Sequence, residues 1–305
     1  MDYLKILRPK NLILVAISQV LIYMQYLYQV LGGVITLDNE LWLLFILDTV
    51  IIAGSGYVIN DIFDAKADQT NKIDKAYIGN ERISIKKAKI YYSILVFVGL
   101  GIAWYIAAQI DKFHLLVIYP IAVGLLFLYS YKWKGSVLVG NVVVATFCAF
   151  VPGIVLYAEI DNILVLQNQY PSIYQYFSFV FVGYILFAFF STMVREIVKD
   201  IEDRVGDEEV GYMTLPIVYG AKKAKEIALI MGFCLLITYV LWIFPMIQYS
   251  FIVIGLVLVL LVLPTLFILL KIATAKTTQD YAHISSQLKW IMIVSLIVFL
   301  CIPYL

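Results

Sequence analysis

Charged residues are scarce in this sequence. Asp, Glu, Lys and Arg make up 14% of the 305 residues, whereas hydrophobic residues make up 63%. A soluble domain of this composition would have too little polar surface to offer water, so the soluble classes are excluded. The formal net charge is +1, and no basic tail or patch is present. We therefore expect no nucleic acid among the partners.

Cysteine and histidine are also scarce, which limits the metal chemistry that is available. Cys148, Cys234 and Cys301 lie within apolar runs, and the two histidines, at 114 and 283, lie between such runs. No pair of these residues has the spacing of zinc or iron ligands. We expect the cysteines to be small packing residues and neither histidine to be a ligand.

Long apolar runs are abundant, and most are close to the roughly 20 residues that a helix needs to cross a bilayer. They lack the alternation of barrel strands, so a helical bundle is expected. The nine candidate spans are residues 12–31, 41–59, 90–109, 115–130, 137–157, 177–195, 227–247, 251–270 and 288–304. The first run has no signal-peptide cleavage site and is predicted to be a retained span. The predicted fold is all-α, a polytopic membrane bundle of nine helices around a central cavity, with residues 1–305 forming one domain.

The basic residues predict the orientation of this bundle. Of the 22 Lys and Arg residues, 21 lie in connections on one side, and only Lys112 lies on the other. The positive-inside rule places the basic side, with the N-terminus, in the cytoplasm. We therefore expect an integral, multi-pass protein, in the inner membrane if the source is bacterial. Its longest charged connections follow spans two and six, so its chemistry is expected to face the cytoplasm.

Two acidic motifs follow spans two and six and share one spacing. They are Asn60-Asp61-x-x-Asp64-x-x-x-Asp68 and Asp200-x-x-Asp203-x-x-x-Asp207. The aspartates stand at relative positions 0, 3 and 7 in both motifs, which places them on one face of a helix. Clustered carboxylates beside a membrane are costly, so a cation is expected between them. Hard oxygen ligands without His or Cys favour Mg²⁺, completed by substrate phosphates.

Basic residues near the motifs are candidates for binding a diphosphate. Lys132 and Lys134 lie in the tight turn between spans four and five, among aromatic residues that would equally suit an interfacial belt. The other candidates are Lys72, Lys75, Arg82, Arg195 and Lys199. A metal and diphosphate site beneath an apolar bundle fits a substrate with a diphosphate head and a long hydrocarbon tail.

A lysine-rich stretch also occurs twice. Lys86-Lys87-Ala88-Lys89 opens span three and Lys222-Lys223-Ala224-Lys225 opens span seven. Each stretch comes after one of the acidic motifs. The repeat indicates either a duplication with two halves facing a shared cavity or merely two basic helix ends on the cytoplasmic side.

These motifs resemble those of the UbiA-type intramembrane prenyltransferases. Further matches are Leu7-Arg8-Pro9-x-Asn11, Tyr129…Lys134…Gly140-Asn141 and the segment from Arg195 to Pro216. The resemblance implies an enzyme that transfers a prenyl group from a prenyl diphosphate to a small acceptor at the lipid bilayer, using Mg²⁺ and releasing diphosphate. It implies no protein partner.

The resemblance also implies roles for individual residues. One metal would be held by Asp61, Asp64 and Asp68, and the other by Asp200, Asp203 and Asp207. Asn60 would either complete the first metal site or donate to the diphosphate. Lys134, with Lys132 and Tyr131, would contact the diphosphate as catalytic groups. We add Lys199 and Arg195 to the catalytic groups, and Lys72 and Arg82 as further diphosphate contacts, because of their positive charge near the motifs.

The acceptor is less closely defined by these motifs. The sequence of the segment from Arg195 to Pro216 most resembles that of the branch that acts on geranylgeranylglyceryl phosphate in ether-lipid synthesis. The loop 71–79 lacks a Pro-Arg-Pro, and Tyr129 and Lys134 are five residues apart rather than four. An aromatic acceptor of quinone biosynthesis, 4-hydroxybenzoate or dihydroxynaphthoate, therefore remains open. A divalent cation transporter is the alternative of another class, although only Asp48 is an acidic residue inside a span.

Overall fold

The computed structural model describes residues 2–33, 35–71, 77–79, 82–243 and 251–301. The helices are α1 (Asp2–Ile6), α2 (Pro9–Leu21), α3 (Tyr28–Val30), α4 (Asn39–Asn71), α5 (Ile85–Gln109), α6 (Ile118–Leu128), α7 (Val139–Ala158), α8 (Ile160–Gln169), α9 (Pro171–Glu202), α10 (Arg204–Glu209), α11 (Leu215–Val218), α12 (Gly220–Ile243), α13 (Phe251–Val257), α14 (Leu263–Thr274) and α15 (Thr278–Cys301). Tighter or wider helical turns continue several of them, at Ile22–Leu27, Phe113–Val117, Tyr129–Trp133 and Leu258–Val262. Among the described residues, an isolated bridge between Ile78 and Ile83 is the only β pairing.

Eight helices of the described chain are long and apolar enough to cross a membrane, and Pro9–Met24 forms a shorter apolar helix. Helices are the expected solution because hydrocarbon offers no partner for backbone N–H and C=O groups, which a helix satisfies internally. The prediction of an all-α, polytopic membrane bundle is confirmed. The count of nine spans and the cytoplasmic N-terminus stay predictions.

Helix α4 extends well beyond the apolar run that predicted it. The run ends at residue 59, whereas the helix continues to Asn71 and carries the whole first acidic motif. The motif is therefore part of a spanning helix rather than of a loop. By the helical period, positions 61, 64 and 68 share one face of this helix.

Helix α9 lies at the centre of the bundle and packs against α7, α12 and α15. In its most apolar stretch 56% of the residues are buried, compared with 11% for the helix that runs from Phe113 to Trp133. Its buried side chains contribute to two large core clusters, one around Phe177 and Tyr184 and one around Val194 and Ile201. Because α9 is central, its C-terminal end, with the second acidic motif, is surrounded by other helices at one end of the bundle.

The opposite end of the bundle is held together by Glu159, which is fully buried. Its carboxylate accepts hydrogen bonds from the backbone N–H groups of Thr36 and Leu37, at 2.8 to 3.0 Å, and from Asn162 Nδ2 at 2.7 Å. These bonds tie the segment before α4 to the start of α8. A carboxylate removed from water is stable there because it has several donors.

Candidate active site

Asp64 is buried at the point where three parts of the chain meet, with 3% of its surface exposed. Asn60, one turn earlier on α4, donates from Nδ2 to Asp64 Oδ2 at 2.7 Å. The hydroxyl of Tyr212, which follows α10, donates to Asp64 Oδ1 at 3.0 Å. The Lys134 amine donates to Oδ2 and forms an ion pair with the carboxylate. Asp64 thus links α4, the turn before α7 and the segment after α10.

Lys134 reaches Asp64 because the chain folds back sharply between α6 and α7. Leu138 has a positive φ of 60°, and a Cβ on Gly140 would lie 2.9 Å from Lys134 Cα. Only glycine permits this approach of two backbone segments. The turn is therefore closed by backbone geometry, which directs Lys134 toward α4.

The same turn packs against the segment after α10. Met213 N donates to Gly135 O at 2.8 Å, and a Cβ on Gly135 would lie 2.6 Å from Cδ1 of Tyr212. The ring of Tyr212 lies against the glycine, and its hydroxyl reaches Asp64. Glycine at position 135 thus allows the segment after α10 to pack closely enough for Tyr212 to bond Asp64.

Asp61 is paired with a residue from the start of the chain. Arg8 Nη2 lies 2.6 Å from Asp61 Oδ1, and the guanidinium lies over the ring of Tyr57, 4.9 Å from its centroid. Burial alone would lower the pKa of Arg8, but the Asp61 carboxylate and, less strongly, Asp64 raise it, and the net shift is upward. Arg8 has a left-handed backbone with φ 54°. Such a conformation is costly for a residue other than glycine and is typical of functional sites.

The second motif spans the junction between α9 and α10. Asp200 is in the last turn of α9, Asp203 lies between the helices and Asp207 is in α10. The hydrogen-bond ladder continues through the junction, since Asp203 N bonds Lys199 O at 2.8 Å and Asp207 N bonds Asp203 O at 3.1 Å. The three aspartates therefore keep approximately helical spacing although one helix ends.

Asp200 is held by an amide from the beginning of α7. Asn141 Nδ2 donates to Asp200 Oδ2 at 2.8 Å. Glu196 and Asp207 are close enough to act on Asp200 as like charges, and Lys199 as an opposite one. A cluster with this excess of negative charge calls for further positive charge.

The structure separates the other predicted residues into two groups. Arg195, paired with Glu196, and Lys199 lie on α9 beside the second motif. Tyr131, Lys132 and Arg82 form the second group and are exposed. The ring of Tyr131 packs against Phe63 and Phe127, and the guanidinium of Arg82 lies 5.4 Å from the ring centroid of Tyr77. Lys72, Lys75 and the side chain of Asp68 lie outside the described residues.

Four residues of the site were not singled out from the sequence, namely Arg8, Asn141, Glu196 and Tyr212. Arg8, Asn141 and Glu196 are positions that the family resemblance had matched, which was the available signal. Tyr212 lies within the matched segment from Arg195 to Pro216, but nothing in the sequence indicated its bond to Asp64, which is 148 residues away.

The donors present at the site suit a hard cation. They are carboxylate and amide oxygens, the ligands that Mg²⁺ prefers, and Mg²⁺ takes few protein ligands when substrate phosphates complete its shell. Within the described residues no three acidic, His or Cys side chains already form a metal cluster. Lys134 and Arg8 instead occupy oxygens of Asp64 and Asp61. The donor chemistry thus fits Mg²⁺.

A helical membrane bundle with two acidic motifs converging at one end is the class that the fold and the site define. The chain belongs to the UbiA prenyltransferase family, whose profile matches residues 20–301. It is therefore a prenyltransferase, and the family resemblance of the motifs is confirmed. The alternative of a cation transporter receives no support from this match.

Named relatives and solved structures agree with this membership. Digeranylgeranylglyceryl phosphate synthase of Methanopyrus kandleri is 32% identical over 233 residues, 76% of this chain and 75% of the relative. The synthase of Saccharolobus solfataricus is 32% identical over 253 residues, 82% of this chain and 80% of the relative. A structure from a study of digeranylgeranylglyceryl phosphate synthase in membranes matches with TM-score 0.66 and 25% identity, covering 98% of this chain and 96% of that one. A UbiA homologue from Archaeoglobus fulgidus bound to GPP and Mg²⁺ shares the fold, with TM-score 0.56 and 17% identity, covering 98% and 99%.

Proposed function

We propose that this protein transfers a geranylgeranyl group from its diphosphate to geranylgeranylglyceryl phosphate, in a Mg²⁺-dependent reaction of ether-lipid synthesis. The observation that carries the proposal is the set of contacts at Asp64. Lys134 and Tyr212, which follows the second acidic motif, both bond Asp64 of the first motif. A prenyl diphosphate needs metal-ligating carboxylates and a cation at one place. The names of the relatives support the glyceryl phosphate acceptor.

The chemistry is the displacement of a diphosphate by a hydroxyl. The bond between C1 of the prenyl chain and the diphosphate oxygen breaks, and its electron pair leaves with the diphosphate. The acceptor hydroxyl oxygen then bonds to C1, and its proton passes to the departing diphosphate. Mg²⁺ bound by the carboxylates supplies positive charge that stabilises the leaving diphosphate. The residues that would hold it are Asn60, Asp61, Asp64 and Asp68 on one side and Asp200, Asp203 and Asp207 on the other.

The protein's own groups have separate tasks in this proposal. Lys134 donates to the diphosphate, with Lys199 nearby, while Tyr212 and Asn141 orient Asp64 and Asp200 by hydrogen bonds. Contacts from Tyr131, Lys132, Lys72 and Arg82 to the diphosphate stay predictions. The apolar bundle excludes water, which would otherwise capture a developing allylic cation.

We place this site on the cytoplasmic side of the membrane, within a single domain spanning 1–305. The support is the distribution of basic residues, because 21 of the 22 Lys and Arg residues fall on the side of the two motifs. Labelling of single cysteines introduced at exposed Lys132 and, on the other side, at exposed Asp161 tests this orientation in sealed vesicles. Labelling of both positions from the same side would contradict it.

A competition assay tests the reaction. Purified protein in nanodiscs receives geranylgeranyl diphosphate, Mg²⁺ and an equimolar mixture of geranylgeranylglyceryl phosphate, 4-hydroxybenzoate and dihydroxynaphthoate. We expect the glyceryl phosphate to be prenylated and Asp64→Asn and Asp203→Asn to abolish transfer. Asp161→Asn, which changes a carboxylate paired with Lys112 at the other end of the bundle, is the matched control. Prenylation of an aromatic acceptor alone would refute the acceptor, and full activity of Asp64→Asn would refute the role of the site.

A further inference from the structure

A second group of cations lies beside the acidic motifs, around α15, which packs against both α2 and α9. Lys289 on α15 donates from Nζ to Asn11 Oδ1 at 2.8 Å, joining residues 278 positions apart. Arg195, Lys10 and Arg8 are all close enough to act on Lys289 as like charges. We call these four residues, Arg8, Lys10, Arg195 and Lys289, the basic cluster. Their convergence depends on three helices and is not a local sequence feature.

The basic cluster holds more positive charge than its neighbours balance. Arg8 pairs with Asp61 at 2.6 Å, and Arg195 pairs with Glu196. Within the described residues, Lys10 and Lys289 have no carboxylate partner. The cluster therefore contains four cations, of which two are paired with carboxylates. Such crowding is unfavourable unless an anion occupies the space between the cations.

Burial makes an anion there more favourable. Lys289 is half-buried in a helix that is apolar enough to span the membrane, where a charged side chain is costly and usually functional. The Nε donor of Arg195 is buried and has no acceptor among the described residues. A buried donor without an acceptor is itself a cost that a bound oxyanion removes. The cluster thus offers both charge and an unused hydrogen-bond donor.

Binding of the prenyl diphosphate does not explain why these four cations lie together. In the proposed function the diphosphate lies with Lys134 at Asp64, and Lys134 is not part of the basic cluster. Arg8 joins the two regions, since it pairs with Asp61 and acts electrostatically on Asp64 as well. A ligand of the cluster would therefore lie next to the diphosphate but on its own set of cations.

We propose that the basic cluster binds the phosphate of the acceptor, and this proposal rests on the proposed function. The ligand class is a phosphate monoester on a glycerol ether lipid. Such a group carries a charge of about −1.5 to −2 at neutral pH, which matches the two unpaired cations. An aromatic carboxylate carries a single charge. Arg195, predicted above among the diphosphate-binding residues, serves the acceptor in this arrangement.

Kinetics with each substrate varied separately test the assignment. In Lys289→Met we expect the KM for geranylgeranylglyceryl phosphate to rise about 10- to 100-fold, because a charged hydrogen bond is lost. The KM for geranylgeranyl diphosphate should not change, and Lys289→Arg should restore most of the affinity for the acceptor. The matched control is Lys271→Met. Lys271 lies on α14 and bonds Gln287 on α15, the helix of Lys289, at 3.1 Å, but it lies outside the cluster. Equal changes in both KM values, or an unchanged acceptor KM, would overturn the proposal.

A second acceptor separates the phosphate from the rest of the lipid. Geranylgeranylglycerol lacks the phosphate, so Lys10→Met and Lys289→Met should use it as well as the wild type does. Both variants should therefore prefer the phosphorylated acceptor less strongly than the wild type does. A penalty of the same size on both acceptors would show a merely structural role and refute the assignment.

Binding without turnover gives an independent readout. Isothermal titration calorimetry of the purified protein in nanodiscs, without prenyl diphosphate and Mg²⁺, measures binding of the acceptor directly. Geranylgeranylglyceryl phosphate should bind the wild type about 10- to 100-fold more tightly than it binds Lys289→Met. If the wild type prenylates no glyceryl phosphate, the proposed function fails. If it does so while Lys289→Met keeps the wild-type acceptor KM and Kd, only the basic cluster's role fails.

Discussion

Replacing Gly135 with alanine is expected to disable the site without touching a charged residue. A Cβ at this position would lie 2.6 Å from Tyr212 Cδ1 and 3.0 Å from Cγ, whereas ordinary contact begins at 3.4 Å. The ring must therefore move by about 0.8 Å, the difference between the ordinary contact and the 2.6 Å approach. The backbone bond from Met213 N to Gly135 O, 2.8 Å long, holds the two segments together and limits how far they can separate.

That displacement acts directly on the first motif. The Tyr212 hydroxyl lies 3.0 Å from Asp64 Oδ1, so a shift of this size stretches the bond beyond useful length. A hydrogen bond to a charged group contributes about 1.5–3 kcal/mol, which corresponds to roughly a 10- to 100-fold fall in kcat/KM. Overpacking adds about 1–3 kcal/mol of destabilisation.

Steady-state rates of the purified variants at saturating Mg²⁺ measure the effect. Tyr212→Phe removes only the hydroxyl, and we expect it to lose as much activity as Gly135→Ala does. The double variant should be no worse than either alone, since both break one contact. Gly124→Ala is the matched control, because nothing lies within 4 Å of its added Cβ. Wild-type kcat/KM in Gly135→Ala, or additive losses in the double variant, would refute the reasoning.

Three further predictions concern the second motif, the opposite end of the bundle and the metal. Asn141→Ala removes the 2.8 Å bond to Asp200, so we expect the Mg²⁺ concentration for half-maximal rate to rise about tenfold or more, and an unchanged titration would contradict the role of that amide. Glu159→Ala removes the acceptor of several buried N–H groups, including that of Thr36, and should lower the free energy of unfolding by about 3 kcal/mol. Thermal unfolding in detergent measures this loss, with Asp161→Ala as a nearly neutral control and an unchanged acceptor KM as the check on specificity. Chelation should abolish transfer, and Mg²⁺ should restore it better than Ca²⁺, because the larger ion prefers more oxygen ligands.

Much of the fold follows from local rules that act on the sequence alone. The apolar runs predict the helices because the bilayer leaves the backbone no other partner. Three predicted spans, 115–130, 137–157 and 251–270, agree with a helix to within four residues at both ends. The ends were less accurate, since α4 continues to Asn71 although its apolar run ends at residue 59. Polar helix extensions outside the hydrocarbon leave no hydropathy signal, so the length of α4 came only from the structure.

The acidic motifs show both the reach and the limit of sequence reasoning. The 0, 3, 7 spacing and the chemistry of carboxylates were sufficient to predict one helix face, a hard cation and a diphosphate. They were not sufficient to predict which other side chains reach that face. Among the basic residues of the turn between α6 and α7, Lys134 contacts Asp64 while Lys132 is exposed. Two residues of separation turn a helical side chain to another face, and only packing selects the one that meets α4.

The amino-acid sequence by itself therefore determined the helical membrane class and the family, and it predicted the acidic ligand set. These depend on composition, period and short motifs, which are local properties of the chain. Only the tertiary structure decided that Tyr212 bonds Asp64 across 148 residues and that Lys289 bonds Asn11 across 278. Such contacts depend on how whole helix faces pack and on close approaches that glycines such as Gly135 allow. No local pattern encodes them, because each partner's position is set by helices that lie far away in the sequence.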